Sequence, residues 1–209
     1  MYPKAPTLSP GTLSPAARGG ILALLAVAML ATRINHFGAV PDASWAVFFI
    51  AGFYLRGWGR WAFPLLMALA VAIDYVVISG QGIAFWSHYC VSTAYLFLLP
   101  AYALPWLGGS WLRKHYHGLG TRELGLLAGS SVVAASLCFL VSNGSFYWIS
   151  ANVPSRSFAG WLANMGDWYL SYLGTTLVYV GVAAVLHVAT VLAARAMAGV
   201  ARDAQSARR

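Results

Sequence analysis

The chain has two cysteines in 209 residues, and they sit in different surroundings. Cys90 closes the run Trp86-Ser-His-Tyr-Cys90, so a thiol follows an indole, an imidazole and a phenol within five residues. A thiolate there is a soft donor, the kind that selects a late transition metal over magnesium or calcium. Against that stands the ordinary fate of free cysteine, which is among the most buried residue types and usually only packs. His88 is placed either to raise the thiolate fraction of Cys90, to touch a ligand, or to serve as a solvated cap. Cys138 lies within Ala134-Ala-Ser-Leu-Cys-Phe-Leu with no basic neighbour and reads as packing. No CxxC pair occurs, which counts against a disulfide framework and against a membrane thiol oxidoreductase. His36 and His187 have no HExxH or HxxxH partner, so neither makes a metal motif.

Asp74 is the one carboxylate inside an apolar run. An intramembrane acid suggests a ligand hydrogen bond or a proton site, and the structural alternative is a partner for Arg33 or for a nearby tyrosine. The stretch from Ser142 to Asp167 mixes Phe146, Tyr147, Trp148, Phe158 and Trp161 with Asn143, Asn152, Asn164 and Arg156. A disordered loop seldom carries so many aromatics. Two readings stand side by side: a lid with flat apolar contacts and amide hydrogen bonds to a large amphipathic ligand, and an interfacial segment lying on the bilayer.

The elements that must position these residues are membrane helices. Hydrophobic residues make up 60% of the chain and charged ones 9%, against roughly a quarter charged in a typical soluble domain. A span needs about 20 apolar residues, fewer when flanking arginines snorkel. Six segments qualify: Gly19 to Ile34, the short Ala43 to Leu55, Trp61 to Ile78, His88 to Leu107, Glu123 to Val141, and Trp168 to Ala194. The expected fold is an all-α integral membrane protein of six transmembrane helices, residues 18–195. A flexible tail, residues 1–17, precedes it, and a basic tail, residues 196–209, follows. On this division Cys90 lies one turn into the fourth helix, just under the outer surface.

Charge sets the orientation. With the N-terminus inside, inner segments hold eleven of the 13 Lys and Arg residues and outer ones hold only Arg33 and Arg156. Cationic loops resist translocation, so both termini are expected in the cytoplasm. The net charge of +8 therefore reports topology and anionic lipid; a nucleic-acid binder would cluster its basic residues on one face. No Walker motif GxxxxGK[ST] occurs, so the chain has no nucleotide site of its own.

Size, six helices with both termini inside, the polar outer connections and the Trp86-Ser-His-Tyr-Cys90 stretch together resemble the substrate-binding S-components of energy-coupling-factor (ECF) transporters. The resemblance is nearest to the BtuM-type cobalamin proteins and covers residues 18–194. It implies a bacterial inner-membrane vitamin transporter that takes up cobalamin from the outer face. It further implies Cys90 as the axial ligand of the cobalt, with thiolate-assisted decyanation of cyanocobalamin as a second activity. Trp86, His88, Tyr89, Asp74 and Arg156 are the surrounding candidates for contact with the corrinoid. S-components that share an energising module often carry Ala-xxx-Ala contacts in the first helix. Here Ala23 is followed by Val27, Ala26 by Leu30 and Ala28 by Thr32, leaving only the pair Gly19 and Ala23. That departure weighs against an ECF energising module and leaves a solitary carrier open. Other readings are the same fold carrying another vitamin such as thiamin, with Cys90 inert, and a purely structural membrane subunit.

Overall fold

The computed structural model describes residues 13–34 and 41–206. Lys4, Asn35, His36, Arg208 and Arg209 lie outside the described residues. Among the described residues the chain is all-helical, with no strand: α1 Pro15–Arg33, α2 Ser44–Tyr54, α3 Gly59–Gly80, α4 Leu98–His115, α5 Thr121–Ile149 and α6 Phe158–Ser206. Four stretches are long and apolar enough to cross a membrane: Pro15–Arg33, Arg56–Gly80, Thr121–Ile149 and Phe158–Ala201.

Helix α1 starts where chemistry says it should. Ser14 Oγ accepts from Ala17 N at 3.1 Å, and Pro15 follows at a position whose missing N–H goes unneeded. Helix α2 has 11 residues, about 16 Å at 1.5 Å per residue, roughly half the thickness of the hydrocarbon core. Nearly all of it is buried, from Ser44 to Phe53, because a helix apolar on every side belongs inside a bundle. The other helices surround it, with α4 packed closest.

The α2–α4 contact depends on glycine. A methyl group built on Gly109 would overlap the Phe49 carbonyl oxygen, and one on Gly52 would overlap the Trp106 carbonyl oxygen. Ser110 Oγ also donates to Gly52 O at 3.1 Å. Two backbones this close leave no soft side chain to give way. Gly109→Ala is expected to destabilise by about 1–3 kcal/mol or more, read as a lower melting temperature and loss of the monodisperse peak on fluorescence-detected gel filtration. Gly125→Ala, whose added methyl meets nothing within 4 Å, should leave both unchanged.

Several helix boundaries differ from those expected. The fourth helix begins at Leu98, not His88; two 3-10 turns, Phe85–Ser87 and Thr93–Phe97, precede it. Pro100 falls in the first turn of α4, where a missing N–H costs nothing; Pro105 lies inside the same helix, so proline alone does not set the start. Cys90 sits in a loop and not on a helix. The fifth helix continues to Ile149 and the sixth begins at Phe158, so the connection expected from Ser142 to Asp167 shrinks to residues 150–157. Pro154 is the last proline in the chain, and no other one halts the run to Ser206. That run absorbs the start of the tail expected at 196–209. At the N-terminal end, Pro15–Ala17 belong to α1 and not to a tail.

Candidate functional site

The loop between α3 and α4 is held by its own backbone. Ser87 N donates to Ala84 O at 2.8 Å, Val91 N to His88 O at 2.9 Å and Tyr95 N to Ser92 O at 2.8 Å. Phe85 and Val91 anchor it beneath, packed with Ile78 and Tyr95. His88 is 7% exposed, and its Nδ1 accepts from the Cys90 backbone N–H at 3.3 Å. That bond makes His88 a positioning group for the cysteine backbone, and its burial sets it apart from a solvated cap. Across from the loop, Asn152 Nδ2 donates to Tyr89 O at 2.7 Å, tying the α5–α6 hairpin to it.

Cys90 opens onto a cavity of about 370 Å³ at the end of the bundle where α3 finishes and α4 begins. Tyr89, His88, Tyr95 and Asp74 line it with Cys90 on one side, and Trp45, Phe139 and Tyr172 form an aromatic wall. The rings of Trp45 and Tyr172 stack with centroids 4.9 Å apart. Ser142, Asn143 and Asn164 complete the lining from α5 and α6.

Asp74 and Arg33 form the polar floor. Arg33 is 5% exposed and donates from Nε and Nη2 to the two Asp74 oxygens, each at 2.7 Å. Its Nη1 donates to Asp42 Oδ2 at 2.8 Å, Tyr102 OH at 2.9 Å and Ser44 Oγ at 3.0 Å. Tyr95 OH donates to Asp74 Oδ2 at 2.7 Å. The structural reading of Asp74, a partner for Arg33 and a tyrosine, thus describes its contacts. Asp42 and Tyr102 are members that sequence reasoning missed. Asp42 stands two residues before Ser44, whose backbone N–H and Oγ both donate to its Oδ1, at 2.9 and 2.6 Å. One guanidinium faces two carboxylates, so the floor is not positively charged.

Two expected site residues stand apart. Trp86 is 82% exposed, and neither it nor Arg156 is among the cavity's lining residues; Arg156 Nη2 donates to Ser150 O at 2.7 Å and braces the hairpin. Cys138 is fully buried between helices, as packing requires. His187 lies at the opposite end of the bundle, bridging the hydroxyls of Tyr54, 2.7 Å from Nδ1, and Tyr116, 2.8 Å from Nε2.

Burial pushes the Cys90 thiol up from its ordinary value, and the nearby Asp74 carboxylate adds to this, while the Tyr89 hydroxyl opposes it. Tyr89 itself is pushed up to about 12, chiefly by its interaction with Cys90. Burial and the Asp74 carboxylate thus favour the protonated thiol over the thiolate. No group of three or more His, Cys, Asp or Glu residues able to hold a metal ion occurs among the described residues. No protein-family model and no curated protein matches the chain.

Proposed function

We propose that the chain is a membrane-bound corrinoid carrier of the BtuM type, taking up cobalamin from the outer face of the bacterial inner membrane with Cys90 as the axial ligand of the cobalt. The observation that carries it is a lone thiol on the wall of an aromatic-lined cavity. A corrin brings four equatorial nitrogens, so a single protein sulfur is enough to hold its metal. In this reading α2 and α4 complete a six-helix membrane bundle. The basic ends of α4 and α6 then lie inside, together with both termini.

Ligation proceeds at one axial face, where the sulfur displaces the dimethylbenzimidazole base. In cyanocobalamin the electron-rich sulfur then lies opposite cyanide and weakens its bond to cobalt. Cyanide leaves with its bonding pair, the thiol proton ends on it as hydrogen cyanide, and a thiolato–cobalt(III) corrin remains with no change in oxidation state. Because the Cys90 thiol titrates above its ordinary value, the reactive thiolate is a small fraction at neutral pH and grows about tenfold per pH unit. The rate of the absorbance change on mixing with cyanocobalamin should rise about tenfold per unit from pH 6 to 8. A flat profile would mean that thiol deprotonation does not limit ligation.

The volume of about 370 Å³ lies at the low end of small-molecule sites, roughly 300–1,000 Å³. A corrinoid held by Cys90 therefore stands across the mouth, its periphery outside the cavity. The same volume favours a second reading, a smaller aromatic vitamin such as thiamin bound wholly inside, with Cys90 inert. The discriminating experiment expresses the chain in a bacterium that lacks its own cobalamin importer and needs the vitamin to grow. Growth at nanomolar cobalamin supports the corrinoid reading. Absence of growth, with thiamin uptake in a matching auxotroph, supports the second.

A further inference from the structure

Between α4 and α5 runs a groove of about 470 Å³ that shares no residue with the Cys90 cavity. Leu107 and Trp111 form one wall, and Gly125, Gly129, Val133 and Leu137 the other. Gly108 brings the two helices together beneath, where an added methyl would overlap that of Ala134. A methyl on Gly125 or Gly129 would meet nothing within 4 Å, so the missing side chains are the open space. Ser130 also lines the groove, but its Oγ donates back to Leu127 O at 3.2 Å. What fills the groove is therefore held by carbon.

Length and charge narrow the occupant. From Gly125 to Leu137 the α5 wall runs about 18 Å at 1.5 Å per residue, close to one leaflet of a hydrocarbon core roughly 30 Å thick. Helical register then carries both walls on to cations, at the end of the bundle away from Cys90. Lys114 follows Leu107 and Trp111 on the face of α4, and Arg122 precedes Gly125 and Gly129 on the face of α5. Both are exposed. Arg122 Nη1 donates across to His115 O at 3.3 Å and to Glu123 Oε1 at 3.1 Å, so Glu123 offsets one charge and the mouth stays positive. Two copies of the chain joined here about a two-fold axis along the membrane normal would set these cations against their own counterparts. Charge thus favours a lipid phosphate over self-association.

We propose that this groove binds an anionic phospholipid, one acyl chain lying between α4 and α5 and the phosphate against Arg122 and Lys114. Anionic lipid is drawn to basic pockets between membrane helices, and here the pocket continues into an apolar track of one leaflet's depth. The site is independent of what the Cys90 cavity carries.

The test uses the full chain purified in detergent and native mass spectrometry, with dioleoyl phosphatidylglycerol as the anionic probe and dioleoyl phosphatidylcholine as the zwitterionic one. Wild type should hold phosphatidylglycerol about tenfold more tightly than phosphatidylcholine, the scale of two surface cations partly offset by one acid. Lys114→Gln combined with Arg122→Gln should bring that ratio to within about twofold. Gly129→Leu, which fills the groove and leaves the cations in place, should weaken phosphatidylglycerol binding about tenfold, the loss of about two buried methylenes. The glutamine changes fall on exposed side chains and keep the test decisive if the leucine variant does not fold. Equal affinity for the two lipids in wild type overturns the inference, as does a preference unchanged in the glutamine variant. So does phosphatidylglycerol binding untouched by Gly129→Leu, which would put the lipid on the cations alone. A wild-type dimer that Gly129→Leu turns into a monomer also overturns it, making this face an interface between copies.

Discussion

Replacing Cys90 by alanine should abolish thiolate ligation of cobalt and slow decyanation by on the order of a hundredfold or more, at least about 2.7 kcal/mol of lost transition-state stabilisation. The loop that carries the residue is held by backbone bonds and by His88, and the Cys90 thiol adds an interaction with the exposed side of the loop at Tyr89. The variant should therefore fold, and its melting temperature should match wild type closely. Loss of activity with intact folding separates a ligand from a packing residue. The contrast is Cys138→Ala, which removes a fully buried sulfur from between helices. It should lower stability by about 1–2 kcal/mol and leave the cobalt chemistry alone. Release of cyanide from cyanocobalamin, followed with time for each variant, gives the comparison directly.

Removing the Arg33 guanidinium should be the most destabilising single change in the chain. Arg33 joins α1 to Asp42 and Ser44 at the start of α2, Asp74 on α3 and Tyr102 on α4. Arg33→Ala leaves two carboxylates facing each other with nothing between them, and breaking a buried pair from one side costs about 3–5 kcal/mol. For a chain of this size that corresponds to a fall of about 10 °C or more in melting temperature. Adding Asp74→Asn should restore part of the loss, because it removes the charge that the first change left unpaired. Arg156→Ala should shift the melt by less than about 1 kcal/mol, as expected of an exposed side chain. A melting temperature for Arg33→Ala within a degree or two of wild type would show that the floor does not hold the helices together.

The Arg33–Asp74 pair was readable before any coordinates, because an acid in one apolar run and an arginine at the outer end of another have few other ways to be buried. Asp42 was not, since a carboxylate in a connection looks solvated until Ser44 and Arg33 converge on it. The start of α4 was misread because hydropathy stays high from residue 88 onward. Pro100 is compatible with a first turn, but the interior Pro64 and Pro105 show that a proline does not by itself mark one. The aromatic stretch after Ser142 was recognised as ordered but not as helix. Gly144, Ser145 and the asparagines suggested a loop, and the packing of buried Gly144, Ser145 and Tyr147 outweighed those local preferences. Asn143, expected in a loop, stands on the helix wall of the cavity. The sequence left Cys90 open between a thiol facing a ligand and a packing residue, and the structure puts it on the lining of the cavity. The hold of His88 on the Cys90 amide was not legible, because it depends on a turn only three residues long.

The most direct measurement is the visible absorption spectrum of the detergent-purified chain, wild type and Cys90→Ala, after incubation with cyanocobalamin and removal of free ligand. The account predicts that wild type retains a corrin with bands shifted by sulfur ligation and that Cys90→Ala shows no such shift. A corrin spectrum identical in the two proteins, or no retained corrin in either, would contradict it.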